Sequence, residues 1–586
     1  MSPPGSGIHE AVEHWSRTTP DAIAVSWREG QLTYRMLHRS AADLAARLVA
    51  AGVRPGQAVG VALDHAPDRI PALLATMQAG AYYVALEPRD PHKRQRLALR
   101  ASGARVLITD GGTDLDCVSL GPAGPPEAQG SPTGGPSVAT HPDAPAYVCF
   151  TSGTTGRPRG VVATHRGVRH LTADPQAGGA RRDDVVLHSS SAAFDAATFE
   201  VWAPLVNGAR LALPDRGGWT PTELVETCRR SGVTTLWLTA GAFHRLSPED
   251  LSGLRGLRRL LAGGDVLAPA QVSRALAAMP TTTVVNGYGP TEGTTFTCLH
   301  PMTELALEDT VPIGTALPGA GICLVDARQL PVPVGQSGEL LAQGPGVALG
   351  YLADPRATAG RFVPDPDGHG TRRYRTGDVA RNPGDGVLRF VGRLDRQVKI
   401  RGFRVEPSEV EAALMRLPEV AQAAVVTPRR DDGAHELIAA VVYRDPLQEG
   451  SLALRRALAR DLPTYAIPAV IHVVDALPLT TADKVDRHAL AGRMPPRARE
   501  VSAPFAAPAD DLQRLLAGLW ADLLRLPEVG AHDDFFELGG DSLIGMHLLS
   551  ELQETLGAQV PVRQFYAKPT ITSLALLITA QGGGAG

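Results

Sequence analysis

Six consecutive small residues, Thr151-Ser152-Gly153-Thr154-Thr155-Gly156, mix hydroxyls with glycines and are followed at once by Arg157 and Arg159. Glycine lets a backbone turn tightly and approach a ligand, and successive N–H groups with hydroxyls form a concavity that holds anions. With two arginines at its lip, the pattern points to phosphate binding, the alternative being an ordinary surface turn. A P-loop would close with Gly-Lys-Ser/Thr, which this loop lacks. Further along, VVNGYGPTE supplies Asn286, whose amide can read a base edge, and Tyr288, whose ring can stack on one. It also supplies Glu292, a hard carboxylate suited to Mg²⁺. Asp378 follows Gly377, where an exposed carboxylate can accept both hydroxyls of a ribose; a plain turn aspartate is the other reading. Asp195 lies among apolar residues in SSAAFDAATFEVW, where an unpaired carboxylate would be costly. Positive charge is written almost entirely as arginine: the lysines are Lys93, Lys399, Lys484 and Lys568. A lysine in such a chain marks a site that needs a compact ammonium.

These groups need elements to hold them. At 586 residues several domains and at least one large core are expected. The hydrophobic content of 44% and charged content of 20% are those of an ordinary globular chain. A net charge of −4 gives no reason to expect nucleic acid. Five cysteines without C-x-x-C spacing argue against a zinc site or disulfide framework and for a reducing compartment. No secretion signal or bilayer-length apolar stretch is seen, so a cytoplasmic protein is expected. Before the loop, helical and strand patterns alternate: a helix over 41–51, a strand over 58–63 and a helix over 70–80 predict βαβ units and a mostly parallel sheet. Ala146–Phe150 reads as the strand that empties into the loop. Residues 121–145 and 491–508 are rich in Pro, Gly, Ala or Arg and read as linkers. From Asp510 to Leu526, Leu512, Leu515, Leu516, Leu519 and Leu523 recur at helical spacing, the stripe of a small bundle. Ser542, after Gly539-Gly540, is either the cap of a helix or a modification site.

YVCFTSGTTGRPRG, NGYGPTE, YRTGDVA and GRLDRQVKIRGFRVEPSEVE occur in that order, and together they resemble the adenylate-forming enzymes. DDFFELGGDSL resembles the phosphopantetheine attachment site of peptidyl carrier proteins. The chain is therefore similar to a nonribosomal peptide synthetase adenylation domain fused to a carrier. It departs from the family with Arg159 in place of the usual lysine, and with Thr481-Ala482-Asp483 ahead of Lys484. The resemblance implies an α/β adenylate-forming core over 1–394 and a small α+β lid over 395–495. A linker over 496–508 and an all-α four-helix carrier over 509–582 follow. It implies ATP, Mg²⁺ and 4′-phosphopantetheine as cofactors. The nucleotide would be held by Thr151, Ser152, Gly153, Thr154, Thr155, Gly156, Asn286, Tyr288, Gly289, Thr291, Asp378, Phe390 and Arg393. Glu292 would hold the metal, Asp395 would be the hinge, Gly402 would border the thiol route, and Ser542 would carry the phosphopantetheine.

By the same resemblance, Lys484, Glu292 and Thr151 are catalytic: they screen the approach of a carboxylate to an anionic α-phosphate. Asp195 would hold an amino acid's α-ammonium. Ala196, Phe199, Trp237, Leu261, Gly263, Gly287, Thr295 and Phe296 would complete a pocket similar to those of valine-activating domains. Phe199, Trp237 and Phe296 consume volume and offer apolar walls, so a short branched side chain fits. Isoleucine competes closely, because one methylene is worth about 1–3 kcal/mol in such a pocket. The implied partners are an amino acid, a phosphopantetheinyl transferase and a downstream synthetase or tailoring enzyme on the carrier; an MbtH-like activator is also admitted. An acyl- or aryl-acid CoA ligase with a fused carrier, or a catalytically silent scaffold, are the rival readings.

Overall fold

The computed structural model describes residues 7–582 apart from 65, 112–114, 116, 123–135, 154–157, 176, 215–219, 305–309, 367, 369, 401–402, 430–434, 446–450, 481–484, 494–498, 500 and 541. Lys484, Gly402 and Thr154–Gly156 therefore lie outside the described residues. The chain divides into two compact units. The first consists mainly of residues up to Gln397 and the second of Val398–Gly586, with Gly153–Arg157 and Gly218–Leu224 assigned to the second.

The first unit holds three sheets. Two have parallel centres, with antiparallel strands at both edges of one and at one edge of the other. In the nine-stranded sheet, Val185–Leu187, Thr235–Thr239, Arg259–Gly263 and Thr283–Tyr288 run parallel, and hairpin strands follow on the last. In the seven-stranded sheet, Tyr82–Ala85 pairs parallel with Pro145–Thr151, which returns antiparallel as Arg159–Thr164. The third sheet is antiparallel in all its pairings and includes Ser337–Gln343, Arg372–Arg381 and Arg389–Arg393.

Helices cover the parallel sheets as the apolar spacing requires. The helix expected over 41–51 begins earlier and runs Tyr34–Ala50, because Thr33 caps it by accepting the Met36 N–H. It buries Leu37, Leu44 and Leu48 fully. Ala196–Val206 is almost wholly apolar and buried, and Trp202 on it donates to the Tyr83 hydroxyl at 3.0 Å.

In the second unit, Val420–Val426, Ile438–Tyr443 and Val470–Val473 form a three-stranded sheet. Pro407–Met415 and Ser451–Leu458 contribute to the same core. Four helices follow: Asp511–Leu524, Ser542–Leu556, Val562–Ala567 and Ile571–Gly582. They close over Trp520, Phe535 and Phe565, all fully buried. Half of the expected linker belongs to this bundle. Arg499 pairs with the buried Asp533, Ser502 donates its N–H and Oγ–H to Glu537 at 2.9 and 2.7 Å, and the Ala506 carbonyl accepts from the Ala531 N–H at 2.8 Å.

Candidate functional site

In open α/β sheets, ligands bind beyond the carboxyl ends of the parallel strands, and the predicted residues gather there. Trp237 and Leu261 stand in one register row of the nine-stranded sheet, with Gly263 and Gly287 in the row two residues on. The glycines leave room for rings. A Cβ on Gly263 would run into the Gly287 carbonyl of the next strand and stand 3.0 Å from the Trp237 ring. One on Gly287 would come within 2.8 Å of Phe296 and 3.0 Å of Trp237. Phe296 lies 5.0 Å from Trp237 and 5.4 Å from Phe199, centroid to centroid. The structure thus brings these pocket residues together as one buried cluster.

The turn that delivers Phe296 is strained. Thr294 and Thr295 both have positive φ, 57° and 70°, which is unusual for β-branched residues and costs on the order of 1–3 kcal/mol each. Two hydrogen bonds hold them: Thr294 Oγ1 to the Gly346 carbonyl at 2.7 Å, and Thr295 Oγ1 to the Asp195 carbonyl at 2.6 Å. Asp195 occupies the N-cap position of Ala196–Val206 without its side chain capping the helix, and negative charge is favoured there. A narrow crevice is lined by its neighbours Phe194, Ala197 and Thr198 together with Tyr83, Tyr147 and Cys149. Burial first, and then the nearby Asp195 and Glu292 charges, push the Cys149 thiol well above its usual range and keep it un-ionised.

Asp378 is the centre of a second cluster, and here the expectation of an exposed carboxylate is corrected. It is buried, 6% exposed. Arg372–Arg381 and Arg389–Arg393 pair so that Asp378 faces Arg393, which binds its Oδ1. The Tyr288 hydroxyl reaches across from the end of the parallel sheet and donates to Oδ2 at 2.5 Å. Burial and the Asp378 charge hold the Tyr288 phenol well above its ordinary value, so it remains a donor. Phe390 packs in the same apolar cluster as Tyr288. Asn286 is buried, its amide donating to the Pro312 carbonyl at 2.8 Å.

Arg393 also forks onto Asp395 at 2.7 and 3.0 Å, and Arg361 adds a bond at 3.3 Å. Burial alone would raise the Asp395 carboxyl, but these guanidinium groups bring it below the usual carboxylate range. The expected hinge residue is therefore tied by two arginines inside the first unit.

Glu292 is fully buried on the turn Thr291–Gly293 and accepts the Tyr351 hydroxyl at 2.7 Å. Tyr351 in turn lies under the Arg159 guanidinium, 5.4 Å from its ring centroid. The arginine that departs from the family's lysine thus stacks on the residue holding the expected metal carboxylate, as its planar cation favours. Sequence reading missed Tyr351; its signal was the Gly350-Tyr351 end of GELLAQGPGVALGYL. Magnesium bound chiefly through phosphates needs only one or two carboxylates, so Glu292 fits it. The Thr151 hydroxyl donates to the Arg159 carbonyl at 3.5 Å, and Ser152 is buried.

In the second unit, Ser542 opens the helix Ser542–Leu556. The approach to it is shaped by Gly539, at φ +86°, and by Gly540, where a Cβ would collide with the Phe535 ring. The start of a long helix presents free amide N–H groups that favour a phosphodiester, so the position fits phosphopantetheine. On the same unit, Arg455 donates to the carbonyls of Glu537 at 2.6 Å and Phe536 at 3.1 Å, and Arg456 pairs with the Glu537 carboxylate. Among the described residues no group of three or more metal-ligating side chains occurs, and no helix is long and apolar enough to cross a membrane.

Comparison with known proteins agrees with this layout. Residues 12–352 match the family described as AMP-binding enzyme, 409–484 its C-terminal domain and 514–578 the phosphopantetheine attachment site. These matches imply ATP with Mg²⁺ and 4′-phosphopantetheine. A linear gramicidin synthase polypeptide of Brevibacillus parabrevis is 40% identical over 585 residues, covering 97% of this chain and 7% of that protein. Phosphinothricin tripeptide synthetase PhsC of Streptomyces viridochromogenes is 37% identical, covering 98% of this chain and 53% of its own length. The chain thus spans only part of these curated relatives. A solved structure of holo-PA1221, a nonribosomal peptide synthetase protein containing adenylation and carrier domains, aligns with a TM-score of 0.85 at 33% identity. That alignment covers 98% of this chain and 97% of the other.

Proposed function

The chain belongs to the AMP-binding enzyme family, as an adenylate-forming ligase in the adenylation–carrier arrangement of nonribosomal peptide synthetases, and we propose that it activates L-valine or a close branched relative such as isoleucine. The observation that carries this reading is the cluster of Phe199, Trp237, Leu261 and Phe296 packed over Gly263 and Gly287 beside Asp195. Aromatic walls over glycine leave no second charge for a polar side chain, and Asp195 supplies the one charge an α-ammonium needs.

The chemistry follows from bringing two anions together. Asp378, oriented by Tyr288 and Arg393, would accept the ribose hydroxyls and fix the α-phosphate in register. The amides and hydroxyls of Thr151–Gly156 and the Lys484 ammonium would stabilise charge as the amino acid's carboxylate attacks and pyrophosphate leaves. When bound at Glu292, magnesium supplies the charge that screens phosphate oxygens. Ser542 would carry the 4′-phosphopantetheine whose thiol takes the aminoacyl group. The domain limits 1–394, 395–495, 496–508 and 509–582, the part played in a longer synthesis, the transferase, the downstream enzyme and an MbtH-like activator belong to the same proposal.

An ATP–pyrophosphate exchange panel of amino, aryl and fatty acids tests it. Exchange is expected with valine, and more weakly with isoleucine. Exchange only with aryl or fatty acids would leave a CoA-ligase-like enzyme instead, and none at all a scaffold.

A further inference from the structure

The helix Ala196–Val206, AATFEVWAPLV, carries one charged residue, Glu200, and buries it completely. A carboxylate there is expensive unless its oxygens are satisfied, and they are, by three consecutive residues. Oε2 accepts from His188 Nδ1 at 2.8 Å and from the Ser190 N–H at 3.0 Å. Oε1 accepts from Ser189 Oγ and Ser190 Oγ, both at 3.0 Å. His188, Ser189 and Ser190 begin the connection that leaves Val185–Leu187 and ends at Asp195. Glu200 therefore folds that connection back on the helix that Asp195 starts. The Ser189 hydroxyl also reaches the Trp237 carbonyl at 3.2 Å, which ties the same loop to the pocket wall.

The rest of the connection is held as firmly. Ser191 Oγ donates to Glu87 at 2.5 Å, Cys149 Sγ donates to the Ala193 carbonyl at 3.2 Å, and Thr295 holds the Asp195 carbonyl. Of these anchors Glu200 takes the most bonds and is the one whose charge is not needed for packing: an apolar residue would serve the helix's buried face better.

We propose that Glu200 is a positioning residue for Asp195, gathering the 188–190 loop so that the aspartate faces the α-ammonium of the amino acid. The inference rests on the amino-acid reading of the pocket. Glu200 bonds the 188–190 loop, and it acts by fixing where the ammonium-binding carboxylate stands.

The test compares valine with 3-methylbutanoate, which is valine without its amino group, in adenylate formation by the wild type, Glu200→Gln and Asp195→Ala. The amide of Glu200→Gln keeps the shape but turns an acceptor oxygen into a donor facing donors. The wild type is expected to prefer valine. In Glu200→Gln that preference should fall at least about tenfold, through KM for valine, with KM for ATP unchanged. Combining it with Asp195→Ala should lower valine turnover little beyond Asp195→Ala alone, since the two act on one interaction. A parallel loss with both substrates, preference intact, would overturn the proposal and leave Glu200 a structural residue. If Glu200→Gln does not fold, Ser190→Ala, which removes one of the four bonds, is read by the same ratio. A wild type that does not distinguish valine from 3-methylbutanoate would instead overturn the amino-acid reading itself.

Discussion

The carboxylates of the first unit and the acidic groups of the carrier bundle are anchored by opposite means. Asp378 is held by Tyr288, 90 residues earlier in the chain, as well as by Arg393 from the neighbouring strand. In the bundle, Asp533 is held by Arg499 and Glu537 by Ser502, from 34 and 35 residues upstream in the segment leading into the fold, and Glu537 is held by Arg456 as well. Around Asp378, side chains from two sheets converge. The bundle takes these contacts from its own leading segment, and Arg455 and Arg456 add a second tie at Phe536 and Glu537.

The sharpest way to break this contrast is Ser542→Ala. Covalent loading of radiolabelled amino acid should vanish, while pyrophosphate exchange stays at the wild-type level because the first unit is untouched. Loading that persists would show that the bundle's serine is not the acceptor. Next in size is Lys484→Ala, expected to lower exchange by about 10²–10³, the loss typical of a donor aimed at transition-state charge; circular dichroism should be unchanged. Full exchange would remove the lysine from the chemistry. Tyr288→Phe should act more mildly, raising KM for ATP about tenfold, since a hydrogen bond to a charged group is worth about 1.5–3 kcal/mol. An unchanged KM would mean that the Tyr288–Asp378 bond is not needed to hold the ribose site.

The smallest effect is on stability. His165 is buried, and desolvation, with the nearby His9, lowers its pKa to about 3 from 6.5. Between those values the unfolded chain binds a proton that the folded chain refuses, so stability is lost as pH falls below about 6.5. The first unit should melt at a lower temperature at pH 5 than at pH 7, by about 2–4 °C for each kcal/mol lost. The dependence should shrink in His165→Gln. Equal melting at the two pH values would show that the histidine is not held neutral in the fold.

Much of the site could be read before any fold was known. The strand ahead of the Thr/Ser/Gly loop, the break at Gly289-Pro290 and the helix start at Ser542 are local events, set by which residues tolerate a turn and which must be buried. The grouping of Trp237, Leu261, Gly263 and Gly287 was reached by resemblance, and strand register supplies its physical reason by setting them in two rows two residues apart.

What the amino-acid order determined by itself was composition, periodicity and the chemistry available at each turn, because these act over a few residues. Only the tertiary structure decided that Asp378 is buried between Tyr288 and Arg393. It alone placed Tyr351 on Glu292, bent Thr294 and Thr295 into a left-handed turn, and surrounded Glu200 with four donors. The physical reason is common to all of these. Sheet order and the crossing of strands choose which distant side chains meet, and a buried polar group is tolerable only when that choice gives it a partner.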